Sequence, residues 1–315
     1  MRFCPDWPGK PGSDIQDDDV PPVAGVTVSD ALGLAGARLA AAGVPDPDLD
    51  SDLLLRHALG WNRTRLLTDA RSSLDPAAEA RFLSLVAERA RRRPLQHLVG
   101  SQAFWRYDFL VTPDVLIPRP ETELLVEACL EELRGRVGPR LVDVGTGSGC
   151  IALCLALERP DAEVHAIDLA PAALDVAREN ARRLGVPERV AFHIGDLLQP
   201  VDGGFDLVAS NPPYIDASEI EGLEPEVRDY EPRLALVPPQ GDRHALYRRL
   251  VPEAARALNP GGSLVLELGR AMETQVGHLC DAAGLRVHRV VADLQGIPRT
   301  LVARKPGYPA VALPT

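Results

Sequence analysis

The chain has 315 residues, with 34 basic and 45 acidic side chains, a formal net charge of −11 and 45% hydrophobic residues. That length predicts two folding units joined by a linker. The acidity argues against a protein whose main work is gripping a phosphate backbone, so no direct nucleic-acid binding is expected, and no apolar run reaches membrane-span length.

In chain order, residues 1–24 have no apolar signal-peptide core and are dense in Pro, Gly and Asp, which predicts a disordered extension on a cytoplasmic protein. Residues 25–94 carry helical patterns. Ser29 is placed to cap a first helix that Gly43 stops. A second helix, SDLLLRHALG, presents Leu53, Leu54 and Leu55 and ends at Gly60. A third begins with Asp75 as cap and Pro76 at the first helical position, and is closed by Arg91, Arg92 and Arg93, where cations complement the helix dipole. Short amphipathic helices bury their stripes against one another, so a small bundle is expected. Residues 95–120, rich in aromatic and β-branched residues and broken by Gly and Pro, read as a β-hairpin linker, and Pro120 opens the next helix.

From Arg140 short apolar runs alternate with helical segments: RLVDVG, EVHAID, VAFHIGD, FDLVASN and GSLVLELG. The alternation predicts the α/β class with a doubly wound parallel sheet, whose ligands bind at the carboxyl ends of the strands. The five cysteines, Cys4, Cys129, Cys150, Cys154 and Cys280, form no C-x-x-C pair and describe neither a disulfide framework nor a zinc site, and no metal is expected. Cys150 and Cys154 share a helix face and read as core fillers.

The chemically suggestive residues lie at strand ends. In D143-V-G-T-G-S-G149 the stretch Gly145, Thr146, Gly147, Ser148, Gly149 permits a tight turn and close approach to a ligand, and the following helix offers unpaired N–H groups. The G-x-G-x-G spacing misses the dinucleotide fingerprint, and no Lys-Ser/Thr pair closes a phosphate loop, which tilts the ligand toward a nucleoside without a pyrophosphate. Asp168, about twenty residues on, either accepts both ribose hydroxyls or caps the helix that Pro171 begins. Asp196, at the end of FHIGD, either accepts from an adenine amino group or is an ordinary turn residue.

The run FDLVAS then ends in Asn211, Pro212, Pro213 and Tyr214. A planar carboxamide or exocyclic amine is a poor nucleophile because its lone pair is delocalised. Asn211 Oδ1 and the Pro212 carbonyl could each accept one of its N–H protons and favour charge on the nitrogen as it loses planarity. Two prolines hold those acceptors in place beforehand, and Tyr214 can stack on the planar group. The plain alternative is a proline-rich turn after a strand. No His, Asp or Glu is obviously poised as a strong general base.

Together, DVGTGSG, the acidic strand end and NPPY resemble the class I S-adenosylmethionine-dependent methyltransferases that act on planar nitrogen. V115-L-I-P-R-P-E-T-E123, Y230-E-P-R-L-A-L236 and PLQHLVG narrow this to similarity with the protein-(glutamine-N5) methyltransferases of peptide chain release factors, over nearly all of Leu53 to Ala303. The resemblance implies a seven-stranded Rossmann-like methyltransferase domain over 121–307, a tail at 308–315, and a helical bundle that helps embrace the release factor. It also implies methyl transfer from S-adenosyl-L-methionine to the glutamine of the Gly-Gly-Gln loop in class 1 release factors; a monomer is expected. The cofactor would lie on Gly145 to Gly149, Asp168, Asp196, Leu197 and Asn211. Asn211, Pro212, Pro213 and Tyr214 would take the substrate amide, with Asn211, Pro212 and Tyr214 as the catalytic set.

Two departures concern loop geometry and partner fit. Ala103 stands before Phe104 where relatives have Glu, and Pro239, Gln240 and Arg243 stand where they have glycines. Three other readings share parts of the pattern: glutamine methylation of a ribosomal protein, adenine-N6 methylation of DNA, and a binding module without catalysis.

Overall fold

The computed structural model describes residues 26–307, so the expected N-terminal extension and C-terminal tail lie outside the described residues. The chain divides between Ala90 and Arg91 into two units. In the first, Thr27 rather than Ser29 caps α1 (Val28–Ala41): its hydroxyl accepts from Asp30 N at 3.2 Å, and the Asp30 carboxylate accepts in return from Thr27 N. A capping box needs an acid three residues past the cap; Thr27 has Asp30 there, whereas Ser29 has Leu32.

Helix α2 (Pro47–Leu59) stops at left-handed Gly60, α3 (Arg63–Thr68) is a short helix capped by Asn62, and α4 (Pro76–Ala90) starts at Asp75, whose carboxylate accepts from Ala78 N at 3.0 Å. Leu39, Leu54, Leu55, Phe82 and Val86 are buried in this unit, whereas Leu53 is only half-buried. Arg89 Nε donates to Asp50 Oδ2 at 2.6 Å inside the bundle, pairing two charges that would be costly to bury singly.

The three arginines do not close α4. The helix ends at Ala90, and Arg92 takes a left-handed φ of 67°. Its guanidinium forks onto Glu226 at 2.7 and 2.6 Å and reaches Glu224 at 2.9 Å. A bidentate carboxylate partner holds Arg92 more firmly than a frayed helix end would.

The second unit opens with α5 (Leu95–Val99), a helix where only a hairpin linker is expected. Strands β1 (Ser101–Phe104) and β2 (Tyr107–Leu110) then form an antiparallel hairpin. Phe104 and Phe109 meet edge to face at 6.0 Å. Helix α6 (Thr122–Glu132) leads into seven strands: β3 (Arg140–Val144), β4 (Glu163–Asp168), β5 (Val190–Ile194), β6 (Phe205–Ser210), β7 (Leu258–Glu267), β8 (Arg286–Ala292) and β9 (Pro298–Arg304). Their order in the sheet is β5-β4-β3-β6-β7-β9-β8, parallel from β5 through β7, with β9 antiparallel to both neighbours.

Helices α6, α7 (Cys150–Glu158) and α8 (Pro171–Arg183) cover one face of this Rossmann-like sheet. Short helices α9 (Pro225–Tyr230) and α10 (Arg233–Leu236) follow β6, and α11 (Ala245–Ala257) and α12 (Glu273–Ala282) cover the other face. Cys129, Cys150, Cys154 and Cys280 are all free and buried, and burial pushes each thiol's pKa up. Strands β8 and β9 complete the seven that the resemblance implies, beyond the five apolar runs. Edge strand β8 leaves most of its residues, Arg286 and His288 among them, exposed, so it lacks the apolar run that marks the others.

The chain winds outward from β3 through β4 to β5, then returns to lay β6 on the other side of β3. Loops leaving β3 and β6 therefore part from adjacent strand ends, the crevice in which such sheets bind ligands. Asn180 on α8, fully buried, fastens the hairpin to this end of the sheet. Its Oδ1 accepts from Leu110 N at 2.7 Å, and its Nδ2 donates to Leu110 O at 3.0 Å and to Ser148 O at 2.9 Å. Asn180→Leu leaves those backbone groups unpaired and should lower the unfolding free energy, measured in urea, by about 2–4 kcal/mol.

Candidate active site

The turn after β3 is built on the end of β4. Gly145 N and Thr146 N both donate to Ile167 O at 2.9 Å, and Gly147 N donates to Asp168 Oδ2 at 2.8 Å. Asp168 Oδ1 accepts from Ala170 N at 2.9 Å. Asp168 thus holds the glycine turn and the entry to α8 together, and each oxygen keeps a further lone pair. Burial pushes its pKa up, while the backbone N–H groups pull it down.

Gly147 has a φ of +54° and Gly149 of +83°, left-handed values that favour glycine. At Gly149 space is also limiting: a Cβ would stand 3.0 Å from Leu153 Cδ1 and 3.1 Å from Ala177 Cβ, so this residue lets α7 and α8 approach. Beneath the turn lies Asp143, which accepts from Thr146 Oγ1 at 2.7 Å and from Ala152 N at 3.3 Å. Burial raises its pKa to about 7.

One cavity of about 480 Å³ joins Gly145, Thr146, Gly147 and Ser148 with Asp168, Asp196, Leu197, Asn211, Pro212 and Pro213. Two residues expected in the site do not line it, Gly149 and Tyr214. Tyr214 lines a smaller neighbouring cavity of about 80 Å³ with Leu116, Arg119 and Glu267, which Asn211, Pro212 and Pro213 also border. Asp196 does not end β5, which stops at Ile194, and its carboxylate is paired with Arg249 of α11. Leu197, beside it, is buried with a φ of +52°, a conformation bulky side chains rarely take.

The turn after β6 is pinned from behind. Ser210 Oγ donates to Val144 O at 2.7 Å. Asn211 Nδ2 donates to Thr122 Oγ1 at 3.3 Å, Thr122 Oγ1 donates to Glu267 Oε2 at 2.6 Å, and the Tyr214 hydroxyl donates to Glu267 Oε1 at 3.4 Å. Tyr247 adds a bond to the Glu267 backbone carbonyl at 2.7 Å. Glu267 is 2% exposed, and burial raises its pKa from 4.5 to about 7, against the pull of Thr122 and Arg299. Burial and the adjacent Glu267 carboxylate push the Tyr214 hydroxyl's pKa up as well, so it stays protonated.

A second buried carboxylate links two sequence motifs. Glu231, from Y230-E-P-R, accepts from Ile117 N at 3.2 Å and pairs with Arg119, both from V115-L-I-P-R-P-E-T-E123. Local sequence by itself gives no role to Thr122, Arg119, Glu231 or Glu267. The first three lie within V115-L-I-P-R-P-E-T-E123 and Y230-E-P-R-L-A-L236, and Glu267 is a lone carboxylate ending the apolar run LVLE. Of the two departures, Ala103 is exposed on β1, and Gln240 takes a φ of +63°, a left-handed value that favours glycine.

Among the described residues no cluster of His, Cys, Asp and Glu could hold a metal ion, and no helix is long and apolar enough to cross a membrane. Residues 30–100 match the family model described as PrmC N-terminal domain, and residues 120–223 match the one described as methyltransferase small domain. The chain is 46% identical over 278 residues to the release factor glutamine methyltransferase of Cereibacter sphaeroides, covering 88% of this chain and 98% of that protein. It is 46% identical over 282 residues to the enzyme of the same name from Moorella thermoacetica, again covering 88% and 98%. A third of that name, from Burkholderia pseudomallei, is 46% identical over 265 residues, covering 82% and 92%.

A carboxyl whose pKa is raised by folding binds its proton more tightly in the folded state. Its contribution to stability is complete below 4.5 and lost as pH rises through about 7. Glu267→Gln has no such dependence, so its stability relative to wild type should increase over that interval, by about 3 kcal/mol in urea unfolding.

Proposed function

Because the chain belongs to the release factor glutamine methyltransferase family, we propose that it methylates the side-chain amide nitrogen (N5) of the glutamine in the Gly-Gly-Gln motif of class 1 peptide chain release factors, using S-adenosyl-L-methionine. The observation that carries this reading is the single cavity running from the glycine turn and Asp168 to Asn211 and Pro212. It sets a nucleoside-sized site and an amide-sized site side by side at the switch point of the sheet.

The residues fit the cofactor. Asp168 retains lone pairs for the two ribose hydroxyls after accepting its backbone N–H groups. Leu197 supplies an apolar wall for adenine, beside Asp196 and Arg249. The two arginines that border the cavity, Arg119 and Arg249, are each paired with a carboxylate, Glu231 and Asp196, so neither is left to grip a pyrophosphate. When bound, S-adenosyl-L-methionine supplies a methyl group on a positively charged sulfur, open to in-line displacement.

The chain's own residues orient the nitrogen. Asn211 commits Nδ2 to Thr122, which leaves Oδ1 for one N–H of the substrate amide, and the Pro212 carbonyl takes the other. Charge developing on nitrogen as it turns pyramidal meets two fixed acceptors. Tyr214 packs beside that amide rather than against the cofactor. The carboxylate behind Asn211, Glu267, is engaged by Thr122 and Tyr214, so the proton leaves after transfer, when the nitrogen is far more acidic. The helical unit within residues 25–94 supplies contacts to the release factor.

Incubation with labelled cofactor and, separately, release factor, ribosomal proteins and DNA should place label on the Gly-Gly-Gln glutamine, mapped by mass spectrometry. Label on a ribosomal protein or DNA alone would overturn the reading. Asn211→Ala should abolish transfer while cofactor affinity, measured by calorimetry, stays within about tenfold. Asp168→Ala should weaken cofactor binding about 10- to 100-fold, because it removes charge-assisted hydrogen bonds worth about 1.5–3 kcal/mol.

A further inference from the structure

Asn211 is useful to an amide substrate only if it turns its oxygen, and not its NH2, into the cavity. The two ends of a carboxamide are nearly the same size, so packing alone does not choose between them. Hydrogen bonding must make the choice.

Thr122 stands behind Asn211 with one proton and two lone pairs on Oγ1. That oxygen lies 2.6 Å from Glu267 Oε2 and 3.3 Å from Asn211 Nδ2. An ionised carboxylate can only accept, so the Thr122 proton goes to Glu267, and Thr122 then faces Asn211 purely as an acceptor. Only Nδ2 satisfies it, and Oδ1 is left for the cavity. The other carboxylate oxygen takes the Tyr214 proton at 3.4 Å, which orders the far end of the same turn. We propose that Glu267 and Thr122 are positioning residues for the transfer: a buried carboxylate, acting through one hydroxyl, sets the direction of the hydrogen bonds that aim Asn211 Oδ1 at the substrate amide.

This inference rests on the amide-methylation reading above. A carboxylate at the end of the apolar strand β7, almost without exposure, is costly to bury. Its two oxygens instead serve the two arms of one catalytic turn. Around it are Tyr214 in that turn, Arg299 on β9, Glu121 just before α6, Cys150 on α7 and Tyr247 on α11. Arg299 favours the ionised form, while Glu121 and burial oppose it, which leaves the group poised near neutrality. A protonated Glu267 can donate to Thr122, which frees the Thr122 proton for Asn211 and lets the amide reverse. Turnover should therefore fall as pH drops through about 7.

The test compares wild type, Thr122→Val, Thr122→Ser and Glu267→Gln on intact release factor, with kcat, KM, cofactor affinity and melting temperature measured for each. Thr122→Val keeps the shape but loses the hydroxyl, and it should lower kcat about 100-fold with cofactor affinity within about twofold, while Thr122→Ser restores kcat to within about threefold of wild type. Glu267→Gln should flatten the acid limb of the kcat–pH profile that wild type shows. Full kcat in folded Thr122→Val would overturn the proposal, as would parallel losses of kcat, cofactor affinity and melting temperature that Thr122→Ser does not repair. If Glu267→Gln does not fold, the Thr122 pair and the wild-type profile decide the matter, a flat wild-type profile counting against it. No wild-type methyl transfer to release factor would overturn the functional reading and this inference together; normal wild-type transfer with an active Thr122→Val would overturn only the inference.

Discussion

Parallel pairing of β3 with β6 is the constraint on which the site depends. Its register sets Val144 opposite Ser210, and the Ser210 hydroxyl closes the join by donating to the Val144 carbonyl at 2.7 Å. The next residues along each strand, Gly145 and Asn211, therefore leave the sheet side by side. A glycine turn and an Asn-Pro-Pro-Tyr turn, far apart in the chain, become two walls of one cavity. A slip of one residue in that pairing would turn the side chains to the opposite face and separate them.

Around this join the unit keeps three carboxylates where water scarcely reaches. Asp143 lies under the glycine turn, Glu231 ties the segment before α6 to the segment after α9, and Glu267 stands behind Asn211. Burial raises the pKa of each. Stability alone would favour apolar residues of similar volume at such places. Each instead accepts hydrogen bonds from groups that border the cavity or lie next to those that do. The cost is offset by order in loops that would otherwise be mobile. Arg92 makes a similar link at the surface, where its fork onto Glu226 anchors α9.

Short apolar runs made the parallel strands legible, because strands buried on both faces are apolar along their length; β5, exposed at Ala191 and Ile194, is the exception. The same logic hid β8, an edge strand with most of its residues exposed. Caps were legible only in part: Asp75 behaves as its sequence position suggests, but Thr27 displaces Ser29 because Asp30 is its reciprocal partner. Arg91 to Arg93 read as a helix end, yet a carboxylate pair more than a hundred residues away gives Arg92 a better partner than a helix dipole. Gly149 lies in the glycine motif but serves the packing of α7 on α8 rather than the cavity wall.

By itself, the sequence determined the alternating α/β order, the turn types after β3 and β6, and the family motifs that contain the glycine turn and the Asn-Pro-Pro-Tyr turn. These are local properties: periodicity, glycine and proline geometry, and residue identity at close spacing. Only the tertiary structure decided that Asp196 spends its charge on Arg249, that Tyr214 borders a separate small cavity, and that Glu267 is linked to Asn211 by hydrogen bonds through Thr122. Such facts depend on distances between side chains from β6, β7, α6 and α11. Those distances are set by how the helices pack on the sheet, and no short-range pattern in the chain encodes them.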